Sequence, residues 1–118
     1  MTYTTEISAQ DVSIVIQGAI FDSENQTIDA QFIKYLEKII SIFTDCELIV
    51  STWEFPREIY LELCNDYPQV NFVLNADVGP IIKIIDDVPI VTNVNRMIFS
   101  TINGLRQANR KFAIKLRT

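Results

Sequence analysis

Few residues of this 118-residue chain can do chemistry, and their types narrow it at once. There is no histidine, which removes Ser-His-Asp and Cys-His catalysis, histidine bases and histidine metal ligands together. Acid–base work falls to carboxylates, lysine, tyrosine or cysteine. Cys46 and Cys64, the only cysteines, stand 18 residues apart, with neither the spacing of a CxxC redox pair nor that of a zinc knuckle. They read as two buried thiols in a reducing compartment. Three glycines leave no room for a phosphate-cradling loop, and neither GxGxxG nor GxxxxGK[ST] occurs.

What remains is a set of amides, hydroxyls and cations, and the cations are clustered. Net charge is −5, but residues 1–87 hold all 15 acids against four bases, whereas residues 88–118 hold six bases and no acid. A basic segment in an acidic chain points to a local anion site rather than a nucleic-acid surface, since duplex binders are basic overall. The competing reading is a solvated face paired with acids elsewhere in the fold.

The elements that must position these groups follow from the apolar pattern. Val12–Gln17, Glu47–Trp53, Val70–Leu74 and Lys111–Arg117 read as strands. Helices are expected over Thr27–Phe43, with Thr27 as N-cap, over Pro56–Tyr67, and from Asn93 along a stripe of Val94, Met97, Ile98, Thr101, Ile102, Leu105 and Ala108. Ile81–Thr92 could be a strand, a turn or a flap, and Pro89 argues against one continuous element. Strands alternating with amphipathic helices predict a single α/β domain over 1–118, a Rossmann-like parallel sheet of four strands with flanking helices. The strand at 12–17 is expected between those at 47–53 and 111–117. The sheet stops at its fourth strand, so the expectation is a half-domain or truncated chain whose open edge self-associates. The polar leader MTYTTEISAQD is no signal peptide, and no apolar run approaches the ~20 residues of a membrane span. A soluble cytoplasmic protein is expected.

In a parallel sheet the C-terminal strand ends and the following helix N-termini share one edge, where ligands bind at the reversal of strand order. That edge should gather Gln17, Gly18, Ser51, Thr52, Trp53, Glu54, Asn75, Asp77, Asn93, Asn95, Arg96, Arg117 and Thr118. Arg96 stands in the first turn of its helix, where the macrodipole disfavours a cation and favours an anion. It either binds an anionic ligand or pairs with an acid such as Asp77. Lys115 and Arg117 share one strand face and need an anion, from the protein or from a ligand. Trp53 either stacks on a base or sugar or packs as a core aromatic. Asp77, before Gly79 and Pro80, either serves a ligand or shapes a turn.

At these positions the chain resembles the WavE-type lipopolysaccharide biosynthesis proteins, a glycosyltransferase-like family with a GT-A type nucleotide-sugar fold. The resemblance rests on VSIVIQG (12–18), IVSTWE (49–54), NADVGP (75–80) and NVNRMIFSTINGLRQANRKFAIKLRT (93–118). It implies that Gln17 and Gly18 border a nucleotide, that Ser51, Thr52 and Trp53 line the same pocket, and that Asn95, Arg96, Lys115 and Arg117 surround a diphosphate or sugar. Asp77 is the least poor candidate for an acceptor base. Two departures stand out: Ala19 replaces the family's proline, and the family's Lys-Leu-Arg-Thr continues to an aspartate beyond Thr118.

The function so implied is glycosyl transfer in lipopolysaccharide or capsular polysaccharide synthesis. The donor would be a nucleotide sugar and the acceptor a glycan or lipid-linked glycan. The cofactor would be a divalent Mg or Mn of the full-length protein, none being evident in this chain. Transfer by this chain alone is not expected. The implied location is cytoplasmic, peripherally at the inner membrane. The other class of function is a small non-catalytic α/β module binding a nucleotide or a protein, since fold alone does not decide function. An aspartate and a further α/β pattern after codon 118 would favour the enzyme, and a stop codon would favour the module.

Overall fold

A computed structural model describes residues 6–118; the first five residues of the polar leader lie outside the described residues. Four parallel strands form the main sheet: β1 (Val12–Gln17), β4 (Glu47–Trp53), β5 (Val70–Asn75) and β8 (Phe112–Arg117), in the order β5-β4-β1-β8. β1 therefore lies between β4 and β8, as its apolar run predicts. The order reverses beside β1, and the crevice belongs between the C-terminal ends of β1 and β8.

Registered neighbours in a parallel sheet point to the same face. Ile14 pairs with Leu48 and Ile114, and Ile16 with Val50 and Leu116. This face packs against α1 (Ala30–Ile42) and α2 (Arg57–Asp66) through Phe32, Leu36, Ile39 and Leu63, and the cluster they form is the core. β1 is buried along its whole length, which is why it reads as an unbroken apolar run. The opposite face presents Ser13, Val15 and Gln17 of β1 beside Glu47, Ile49, Ser51 and Trp53 of β4. α3 (Val94–Arg106) covers it.

Three expectations need correction, and one open segment takes a definite form. The first helix starts at Ala30, capped by Asp29, whose side chain accepts from Gln31 N–H. Thr27, expected as its N-cap, instead belongs to a two-residue strand β3 (Thr27–Ile28) paired with β2 (Phe21–Asp22). The segment left open at 81–92 is an antiparallel hairpin, β6 (Ile81–Ile85) and β7 (Val88–Thr92). Its turn residues Asp86 and Asp87 both take positive φ, 51° and 62°, the geometry of a tight two-residue hairpin turn that aspartate tolerates. Pro89 fits because a two-stranded hairpin has only edges.

The third correction concerns α3. Its apolar stripe does not face the sheet: Val94, Ile98, Ile102 and Leu105 are exposed, and the buried residues are Ser100 and Gly104. The sheet face below is lined by small and polar side chains, so the helix side that approaches closely is the one with least bulk. A Cβ at Gly104 would sit 2.6 Å from Val15 Cγ1 and 2.9 Å from Ser51 Cβ. Strand β8 begins at Phe112 and is an edge strand, which explains why Lys115 and Arg117 can occupy one of its faces.

Candidate functional site

The site is built on buried polar contacts that fix α3 to the C-terminal edge of the sheet. Ser51 Oγ donates to the Ser100 carbonyl at 2.6 Å and accepts from Asn75 Nδ2 at 2.9 Å. Asn75 Nδ2 also donates to the Thr52 carbonyl at 2.7 Å, and Asn103 Nδ2 donates to Asn75 Oδ1 at 2.8 Å. Each hydroxyl and amide here finds a partner, so the network holds the helix in one position instead of leaving unsatisfied groups in the interior.

Gly18 closes the other side. It takes φ +139°, and a Cβ there would meet the Thr118 hydroxyl and lie 3.2 Å from Thr118 Cβ. Only glycine lets the chain leave β1 this way while Thr118 N–H donates to the Gln17 carbonyl at 3.0 Å.

Between these walls lies a cleft of about 250 Å³ lined by Gln17, Gly18, Ala19, Trp53, Asn93, Arg96, Met97, Arg117 and Thr118. Gln17 is 4% exposed, and its Oε1 has no hydrogen-bond partner. A buried amide oxygen left unpaired is uncommon and costly. The N-terminus of α3 also opens here. Asn93 stands at the cap position without capping through its side chain, because its Oδ1 accepts from Arg96 Nη1 at 2.8 Å. Thr92 Oγ1 accepts from Val94 N–H at 3.3 Å, and no side chain caps the N–H groups that follow.

Arg96 is paired within the protein. Its Nε and Nη2 donate to the two carboxylate oxygens of Asp77 at 2.6 and 2.8 Å. The Arg96 hydrogen bonds, helped by the Gly79 N–H, hold the Asp77 carboxyl below its usual range, and Asp77 raises the Arg96 guanidinium in turn. The pair is partly exposed, at 30% for Arg96 and 57% for Asp77, so solvent screens it. These bonds use three of the five guanidinium N–H groups and leave two. Arg117 has no acidic partner among the described residues.

The structure thus brings Gln17, Gly18, Trp53, Arg96 and Arg117 to one cleft. Thr52 is buried and lines, with Trp53, a smaller adjoining hollow of about 120 Å³. Asn95 is half-buried outside the lining, Lys115 lies on exposed β8 two residues back from the edge, and Asp77 stands beside the cleft as the partner of Arg96. Ala19 and Met97 also line the cleft, although the sequence marks Ala19 only as a departure from the family's proline and Met97 only as part of the apolar stripe; the position of Ala19 after a strand-end glycine is a signal that places it here. The lining side chains are cationic and include no carboxylate, and no group of three or more Cys, Asp or Glu among the described residues could hold a metal. These residues do not fit a divalent cation.

The chain thus has a Rossmann-like α/β fold with an amide- and guanidinium-lined cleft at its strand-order reversal. The model of the WavE lipopolysaccharide synthesis family matches residues 12–118, and the chain belongs to that family. None of the curated proteins matches it, and neither does any solved structure. No described helix is long and apolar enough to cross a membrane.

Proposed function

We propose that the cleft binds the diphosphate of a nucleotide-sugar donor, and that the chain serves glycosyl transfer in lipopolysaccharide synthesis. The observation that carries this reading is the cleft itself: two guanidiniums and the N-terminus of α3 converge at the strand-order reversal, and the unpaired Gln17 Oε1 there is an acceptor suited to a sugar hydroxyl. Family membership supplies the polysaccharide context.

The chemistry follows from the charges. Transfer breaks the bond between the anomeric carbon and a phosphate oxygen, and negative charge grows on the departing diphosphate. Fixed cations in a partly desolvated cleft stabilise that charge without reorganising. Arg117 supplies a cation with no acidic partner among the described residues, and Arg96 is held ready by Asp77 and Asn93 with two N–H groups to spare. Asp77 then positions Arg96 and does not act as acceptor base. Trp53 offers an aromatic face for a base or sugar.

Calorimetric titration of UDP and other nucleoside diphosphates into the full chain tests the reading. Arg117→Ala and Arg96→Ala should each weaken binding about ten- to a hundredfold, the range for a charge-assisted hydrogen bond. Lys38→Ala, on exposed α1 away from the cleft, should leave it unchanged. Absence of binding by every nucleoside diphosphate would overturn the proposal. Equal affinity in both arginine variants and wild type would overturn its placement in this cleft.

A further inference from the structure

The apolar surface of this protein is lopsided. On the hairpin β6–β7, Ile82, Ile84, Ile85, Val88, Ile90 and Val91 are 45–74% exposed. Val94, Ile98, Phe99, Ile102 and Leu105 continue the exposure along α3. By register, Ile82, Ile84, Pro89 and Val91 share one wholly apolar hairpin face, while Ile81, Lys83, Ile85, Val88, Ile90 and Thr92 share the other, so the first face is the one that docks. The hairpin projects from the body. The radius of gyration is 16.9 Å and the longest extent 63 Å, whereas a compact chain of this length has a radius near about 13.5 Å.

We propose that the hairpin is a dimerisation arm. It lies along the exposed apolar face of α3 in a second copy, and the second copy's arm lies on the first. The exchange is reciprocal, so the dimer closes on a two-fold axis without propagating.

Three features select a second copy as the occupant. First, size: one hairpin face and the α3 stripe together expose on the order of 800 Å² of apolar surface, about what each partner of a standard interface buries and more than the few hundred of an ordinary monomer patch. Second, length: a five-residue hairpin arm spans about 17 Å and a thirteen-residue helix about 20 Å, so one lies along the other. Third, charge: the arm ends in Asp86 and Asp87, while the C-terminal end of α3 and its exit carry Arg106 and Lys111, neither with an acidic partner among the described residues. The acidic tip of one copy's arm can thus meet the basic end of another copy's α3. Pairing of two β8 edges would instead oppose Lys115 and Arg117 to themselves, with no acid between them. An anionic lipid surface would welcome the basic end, but the arm would enter it with two carboxylates leading.

Sedimentation equilibrium on the full chain reads the result, independently of any nucleotide. Wild type should be a dimer whose dissociation constant rises with salt. Ile82→Asp with Ile84→Asp on the arm, and Ile98→Asp with Ile102→Asp on the receiving face, should each weaken it more than tenfold with an unchanged circular dichroism spectrum. Arg106→Glu with Lys111→Glu should weaken it too, and adding Asp86→Asn with Asp87→Asn should recover part of the loss. A wild type that stays monomeric at high concentration overturns the proposal, as does a dimer indifferent to the arm variants. Monomeric wild type that binds anionic phosphatidylglycerol vesicles would give the surface to lipid instead.

Discussion

Replacing Gly104 with alanine should destabilise this protein even though alanine is the better helix former. In a helix interior the exchange favours folding by about 0.8–1 kcal/mol. Here the new methyl would stand 2.6 Å from Val15 Cγ1 and 2.9 Å from Ser51 Cβ, and both neighbours are fully buried in the sheet. Overpacking of that kind costs about 1–3 kcal/mol. If α3 lifts to relieve it, the Ser51–Ser100 and Asn103–Asn75 bonds lengthen from 2.6 and 2.8 Å, at about 0.5–1.5 kcal/mol each. The packing and hydrogen-bond terms exceed the propensity term, and the net loss should be about 1–4 kcal/mol. Urea unfolding followed by Trp53, the only tryptophan and a lining residue of the cleft, measures it directly. Val15→Ala makes room for the methyl. The double variant should therefore be less destabilised than the sum of the singles, by more than about 0.5 kcal/mol. A Gly104→Ala protein with a raised midpoint would refute the close approach of α3 to the sheet.

Gly18→Ala should cost about 2–4 kcal/mol, from a backbone conformation nearly reserved to glycine and from displacement of Thr118; an unchanged urea midpoint would contradict the geometry of the cleft wall. Acid stability should depend on Glu47. Partial burial opposes its ionisation, but the Asn109 N–H, the Ser13 hydroxyl, the Asn109 amide and the Arg110 charge outweigh burial and hold its carboxyl below the usual value of 4.5. Its stabilisation is thus complete above that value and is lost as pH falls through the lowered one. Glu47→Gln should flatten this part of the acid limb in unfolding curves taken across that window, and an unaltered pH slope would remove Glu47 from the account.

The sequence by itself determined the sheet. The apolar runs at Val12–Gln17 and Glu47–Trp53 call for burial on both faces, which favours parallel strands between helices; with Val70–Leu74 beside them, the chain order then brings Gln17, Trp53 and Arg117 to one edge. Spacing also located the start of α3 and hence Arg96. Tertiary structure alone decided how α3 turns. Periodicity identifies an apolar stripe at Val94, Ile98, Ile102 and Leu105, but the face that packs is chosen by the surface opposite, and Val15 and Ser51 accept Ser100 and Gly104 at a distance that isoleucine would not permit. The role of Asp77 was open for the same reason. Its bidentate partner lies 19 residues away across a hairpin whose course the sequence left undecided, and an ion pair between groups that far apart along the chain is set by where the backbone returns.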